Sequence, residues 1–147
     1  MNEDINKKNI AIVAITKKGI EIAKRIRNAL SESEIQVPEK FRDSDPSIIY
    51  FSESVTNRIE PLFYKYHSLI CIFSLGAVIR LISPHLKDKK HDPAVIVIDD
   101  TAKFVISTLS GHLGGANELT LKVSEILHSI PVITTAADVN KTIAIDL

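Results

Sequence analysis

Three short stretches of the chain gather residues suited to an anionic ligand. The densest is Ser110-Gly-His-Leu-Gly-Gly-Ala-Asn-Glu118, which holds three of the five glycines, Gly111, Gly114 and Gly115. Glycine adopts backbone conformations closed to other residues and lets a ligand come close to the main chain. Helical spacing begins directly behind the loop. A helix start there would present unpaired N–H groups and the positive end of the dipole, a setting that favours carboxylate or phosphate. Ser110 and His112 add side-chain donors, and Asn117 and Glu118 fall in the first helical turn. Gly114 and Gly115 equally suit a turn with close helix–sheet packing, and Glu118 a plain first-turn acid. The second stretch, Ser74-Leu-Gly76-Ala, carries Arg80 one turn later in an otherwise apolar helix. A guanidinium fork suits a carboxylate clamp; an exposed helix face accounts for it as well. Lys87, Lys89 and Lys90 follow in a charged loop. The third stretch, Thr134-Thr135-Ala-Ala-Asp138, offers two hydroxyls and a carboxylate to orient a polar ligand.

Other chemistries lack their residues. G-x-G-x-x-G is absent and no glycine run precedes Lys-Ser/Thr, which counts against a nucleotide. No histidine or cysteine cluster has metal-ligand spacing. His85 and His91 read as solvated loop residues, and His67 and His128 as residues near helix ends. No serine sits in a nucleophile elbow. The single cysteine, Cys71, lies in the apolar run Leu69–Phe73, where it reads as small core filler. One cysteine makes no internal disulfide, so nothing points to an oxidising compartment.

The composition sets the frame. At 147 residues, 45% apolar and 24% charged, the chain fits one globular domain. Eighteen basic residues balance eighteen acidic ones, so the chain as a whole has no electrostatic footprint for nucleic acid or an anionic membrane. The apolar run Ile10–Ile15 is too short for a signal-peptide core or a membrane span, and a cytoplasmic location is expected.

The elements that must position these stretches alternate. Asn9–Ile15 is a continuous β-branched run, as in a strand buried on both faces. Thr16 caps a predicted helix over Lys17–Leu30, with Ile20, Ala23, Ile26 and Leu30 on its apolar side. Short strands are predicted near Ile35–Val37 and Ile48–Phe51. A helix capped by Ser54 carries Ile59, Leu62 and Phe63, with Pro61 bending it or marking its first turn. Leu69–Phe73 is a second buried strand, followed by a short helix Ala77–Ser83. Ala94–Ile98 and Lys103–Ser107, joined by a polar turn, predict a β-hairpin. A helix Ala116–His128 and a strand Pro131–Thr135 complete the series. The order implies an α/β fold: a mostly parallel sheet with helices on both faces, three layers in all, plus the hairpin. In such sheets ligands bind beyond the carboxyl ends of the strands, and all three stretches follow strands. Residues 1–140 are expected to form the domain. The apolar run at 142–147 reads either as the start of a further segment or as a plain final strand.

Several strings together resemble a known family. Leu75-Gly-Ala-Val-Ile-Arg-Leu-Ile-Ser-Pro84, Asp92-Pro-Ala-Val-Ile-Val-Ile-Asp99, Phe104–Ser107, Leu109–Leu119 and Pro131–Thr135 resemble the N-terminal domain of the CbiG family of anaerobic cobalamin biosynthesis. The resemblance covers about Leu69 to Asp138. It implies a cobalt-precorrin-5A hydrolase that opens the δ-lactone of a tetrapyrrole and releases acetaldehyde. It also implies that longer members carry a middle segment and a C-terminal domain that this chain lacks. Such a substrate is ringed by acetate and propionate groups. Gly76, Arg80, Ser110, Gly111, Gly114, Gly115, Asn117, Thr134, Thr135 and Asp138 are the expected substrate-binding residues, and His112 or Glu118 the expected general base. Backbone N–H groups at Gly114 and Gly115 would hold the oxyanion. No cofactor is expected, because cobalt arrives within the substrate. Other cobalamin-pathway enzymes are the expected partners. Two further readings compete: a non-catalytic module that grips the macrocycle, and a nucleotide- or sugar-phosphate-binding domain.

Overall fold

A computed structural model describes residues 7–111 and 113–136. The expected segment at 141–147 lies outside the described residues. Seven strands form one sheet in the order β3-β2-β1-β4-β5-β6-β7. They are β1 (Lys8–Ala14), β2 (Ser33–Pro38), β3 (Ile49–Phe51), β4 (Tyr66–Ile72), β5 (Ala94–Ile98), β6 (Phe104–Leu109) and β7 (Ile130–Val132). Four helices join them: α1 (Lys17–Ala29), α2 (Val55–Lys65), α3 (Leu75–Ile82) and α4 (Ala116–Leu127).

Strand periodicity sorts the apolar residues onto two faces. Ile10, Ile12, Ile70, Ile72, Ile96 and Ile98 point to one side, where α1 and α4 cover them with Ile20, Ile26, Val123 and Leu127. Ala11, Val13, Leu69, Cys71, Val95 and Val97 point to the other, under α2 and α3 with Ile59, Phe63, Val78 and Ile82. Three layers and two cores result, as the alternation of strands and helices requires. Burial places Cys71 in the second core and pushes its thiol up to about 12, so it is packing and not a nucleophile.

The helix starts follow the sequence signals. Thr16 and Ser54 accept hydrogen bonds from Gly19 N and Asn57 N, capping α1 and α2. Ser74 does the same for Ala77 N, so α3 begins two residues before the apolar spacing suggests. Pro61 lies inside α2 rather than in its first turn. The bond it forgoes would have gone to the carbonyl of exposed Asn57, where water replaces it. At the other ends the strand signal is weaker than the structure. β2 runs three residues beyond the predicted apolar core because Ser33, Glu34 and Pro38 pair as well. β4 starts at Tyr66, so His67 stands just past the end of α2, as expected, and already within a strand. Gln36 is buried on β2: its Oε1 accepts from Arg58 of α2 and its amide donates to the Tyr66 hydroxyl.

The predicted hairpin forms, and it reorganises the sheet. β1 to β5 run parallel. β6 is antiparallel to β5, and β7 is parallel to β6. The last two strands therefore both run against the other five. Asp99 holds the reversal: its carboxylate accepts from Thr101 N at 3.1 Å and Phe104 N at 2.6 Å, while Ala102 takes a left-handed φ of 58°. Partial burial works to raise the Asp99 pKa, but hydrogen bonds from Thr101, Phe104 and Lys103 outweigh it and lower the value.

Asp99→Ala removes an acceptor of two backbone N–H groups and should cost about 1–3 kcal/mol, read as a lower urea midpoint with unchanged slope. Because the folded-state pKa is depressed, the carboxylate stabilises the fold above the unfolded carboxylate pKa. That contribution fades as pH falls through the lowered one. The difference between wild type and variant should shrink over that acid range; a difference constant with pH would contradict the role of the charge.

Candidate binding cleft

The strand directions decide which predicted residues can meet. Leu109 pairs with Val95, and Val95 with Leu69, so Ser110 sits at the edge where the parallel strands begin. Ser74 follows β4 at the opposite edge. Five or six extended residues separate the two levels, about 20 Å at 3.3 Å per residue. Gly76 and Arg80 thus stand at one end of the sheet, and Ser110, Gly111, Thr134 and Thr135 at the other. The expectation of a single site at the carboxyl ends fails because the hairpin turns β6 and β7 around.

At the amino edge, Ser110, Gly111, Thr134 and Thr135 line a half-open cleft of about 610 Å³ with Lys89, Asp92, Thr108, Leu109 and Leu113. Its floor is the end of β6, Ser107–Leu109. One wall is the loop before β5, the other the glycine loop. Asp92 shapes the first wall: both carboxylate oxygens accept from Lys87 N, at 2.9 and 3.1 Å. Asp88 does likewise, accepting from Lys90 N, His91 N and the His91 ring, and the His91 bond is the largest cause of its lowered pKa. Both acids are thus occupied in holding their own loop. Lys89 is exposed and makes no ion pair among the described residues.

The glycine loop folds back on its own helix. Ala116 N donates to Ser110 O at 3.2 Å and Asn117 N to Gly111 O at 3.0 Å, so two N–H groups of the first turn of α4 are already used. The sequence reading expected unpaired N–H groups at this helix start; these two are paired within the loop. Gly115, at the helix N-cap, has φ 87° and no side-chain cap, a backbone state that glycine adopts without strain. A Cβ on Gly114 would stand 2.5 Å from Ser110 Cβ and 2.9 Å from Ser110 O. Turn geometry and close packing account for both glycines, and neither lines the cleft.

Asn117 is the pin of the arrangement. It is buried; its Oδ1 accepts from Ser107 Oγ at 2.6 Å and its Nδ2 donates to Thr135 Oγ1 at 2.8 Å. It ties β6, α4 and the segment after β7 together, and so sets the Thr134–Thr135 lip. It does not line the cleft. Glu118 is exposed in the first turn of α4 and does not line the cleft. His112 and Asp138 lie outside the described residues. The sequence did not single out Thr108, Leu109 and Leu113; Leu113, a large apolar side chain exposed between glycines, was the available signal. His85 departs from expectation too: it packs against Phe63 and Tyr64, 3.7 Å from Glu60, rather than standing in solvent. His91 is exposed as expected, and His128 caps the end of α4. Among the described residues, no group of three or more His, Cys, Asp or Glu could hold a metal, and no helix is long and apolar enough to cross a membrane.

Comparison with known proteins fits this arrangement to a family. Residues 57–138 match the family model described as cobalamin synthesis G N-terminal. A cobalt-precorrin-5A hydrolase of Priestia megaterium is 54% identical over 140 residues, covering 93% of this chain and 37% of that protein. The chain belongs to the CbiG family. A cobalt-precorrin-5A hydrolase of Salmonella typhimurium is 39% identical over 142 residues, covering 97% of the chain and 40% of the relative. The crystal structure of a cobalamin biosynthesis protein G homologue from Sulfolobus solfataricus superposes with a TM-score of 0.63 at 27% identity, over 86% of this chain and 37% of that one. The chain therefore spans well under half the length of its CbiG relatives and corresponds to their N-terminal domain. The match extends into the first sixty residues, beyond the stretch of about Leu69 to Asp138 on which the resemblance read from the sequence rested.

Gly114→Ala should force the glycine loop off Ser110 and cost about 1–3 kcal/mol, the usual range for overpacking. Asn117→Ala should cost at least as much, because it strands the Ser107 hydroxyl. Melting followed by circular dichroism checks both; a Gly114→Ala protein as stable as wild type would show that the close contact is not a constraint.

Proposed function

We propose that this chain is the substrate-gripping N-terminal domain of a cobalt-precorrin-5A hydrolase, and that the amino-edge cleft holds the macrocycle. One observation carries this. The cleft is lined by apolar Leu109 and Leu113, by Lys89, by the hydroxyls of Ser110, Thr134 and Thr135, and by Asp88 and Asp92, whose carboxylates are taken up by N–H groups of their own loop. A tetrapyrrole is apolar across its rings and anionic at its fringe. That distribution matches an apolar floor with cationic and hydroxyl groups at the rim. Relatives named cobalt-precorrin-5A hydrolase, at 54% and 39% identity, support the same substrate class.

Lactone opening needs an activated water and donors for a tetrahedral oxyanion. The carboxylates of Asp88 and Asp92 are engaged by their own loop, and Glu118 stands outside the cleft. These facts favour a division of labour: this domain binds and orients the macrocycle, and the acid–base groups come from the remainder of the longer protein or from His112. The macrocycle carries its own cobalt, so the reading needs no cofactor held by this chain. Cobalamin-pathway enzymes that supply the substrate or consume the product are the partners it suggests.

Titration of the chain with a cobalt-corrinoid polycarboxylate, followed by absorbance, tests the reading against ATP as the competing ligand. The corrinoid should bind and ATP should not. Lys89→Ala should weaken corrinoid binding about three- to tenfold, the worth of one partly screened charge contact. In the longer enzyme, release of acetaldehyde should then show a raised KM with kcat retained. Binding of ATP alone, or a corrinoid affinity indifferent to Lys89, would overturn the proposal.

A further inference from the structure

The opposite edge of the sheet holds a second concavity, of about 580 Å³, lined by Ile15, Val55, Phe73, Ser74, Arg80 and Leu81 among others. It lies between the carboxyl ends of β1 and β4. From β1 the chain passes to α1 on one face; from β4 it passes to α3 on the other. This is the topological switch point of the sheet, the place where open α/β sheets take their ligands. The walls are apolar, and Arg80 stands at the rim with its guanidinium exposed. Arg27, Arg42 and Arg58 each grip a carboxylate. Arg80 meets none among the described residues.

Several acids of this edge are held within its own loops: Asp99 accepts from Thr101 N and Phe104 N, Asp45 pairs with Arg27, and Glu39 pairs with Arg42. α1, α2 and α3 all begin here, and none has an acidic residue in its first turn. Glu53, just outside α2, is held by Arg58. At the other edge, α4 has Glu118 in its first turn. Unneutralised helix starts add to Arg80 in favouring a negative group at this rim, while the apolar walls favour a ring or short hydrocarbon.

We propose that this crevice is a second binding site, separate from the macrocycle cleft, for a small ligand that pairs an apolar body with one carboxylate or phosphate. Arg80 takes the anionic end in a charge-assisted hydrogen bond, and Ile15, Val55 and Leu81 take the body. The site stands whether or not the amino-edge cleft binds a tetrapyrrole.

Nitrogen-15 spectra of the chain titrated with benzoate and with phenyl phosphate test it, with benzamide as the uncharged control. Amides of 15–16 and 73–81 should shift with dissociation constants in the millimolar range, and benzamide should bind more weakly. Arg80→Ala should weaken the anions about tenfold, the worth of one charged hydrogen bond. Arg80→Lys should retain part of the affinity, and Lys89→Ala should change nothing. Arg80 is exposed, so unchanged amides elsewhere will show that its variants are folded. The proposal falls if no shifts appear up to about 20 mM ligand. It also falls if the shifts map to Ser107–Gly111, or if Arg80→Ala binds as wild type does.

Discussion

The reversal at Asp99 governs where chemistry can happen in this molecule. Five parallel strands define an edge where they all end, and by the usual logic of α/β sheets every loop worth inspecting would lie there. One tight turn changes that. Asp99 accepts from Thr101 N and Phe104 N, the chain doubles back as β6, and α4 returns it to a β7 that runs with β6. The loops after the last two strands are thereby delivered to the edge where the others begin. A fold that would have one port has two, with the core between them.

Much of this was legible from the residues. Apolar runs marked β1 and β4 as buried strands, and Thr16 and Ser54 marked two helix starts. The hairpin was legible too, because two apolar runs flank Asp-Asp-Thr-Ala. Its consequence for the later loops was not, since sequence adjacency to a strand says nothing of that strand's direction. The same limit misplaced one histidine. His85 leaves solvent because Phe63 and Tyr64, twenty residues away, supply a surface to pack on.

The glycine loop shows how one string supports two physical accounts. Three glycines before a helix read as an anion cradle, since such loops expose backbone N–H groups. Here the N–H groups of Ala116 and Asn117 turn inward to Ser110 O and Gly111 O, and the glycines permit that closure. The loop still belongs to the candidate site, but through its outer surface. Ser110, Gly111 and Leu113 face the cleft, while Asn117 holds the lip from behind through Thr135. Its specificity as a string follows from packing as much as from recognition: Gly114 is confined by Ser110, and Gly111 by the Asn117 amide.

Electrostatics then divides the two ports in a way that composition conceals. A chain with equal numbers of acids and bases has no net field to steer a ligand, so local arrangement decides. At the amino edge the helix start is partly neutralised by Glu118, the cleft is the larger concavity, and its polar groups are mostly hydroxyls, with Lys89 and the loop-held carboxylates of Asp88 and Asp92. Such a surface suits a broad ligand held by many weak contacts. At the carboxyl edge three helix starts lack first-turn acids and Arg80 has no carboxylate partner among the described residues, around an apolar crevice. That surface suits a small ligand held by one strong contact. Between the two edges β4 and β5 are fully buried from Leu69 to Ile72 and from Ala94 to Ile98. A close-packed core of that kind resists deformation, so each port keeps its shape independently of what occupies the other.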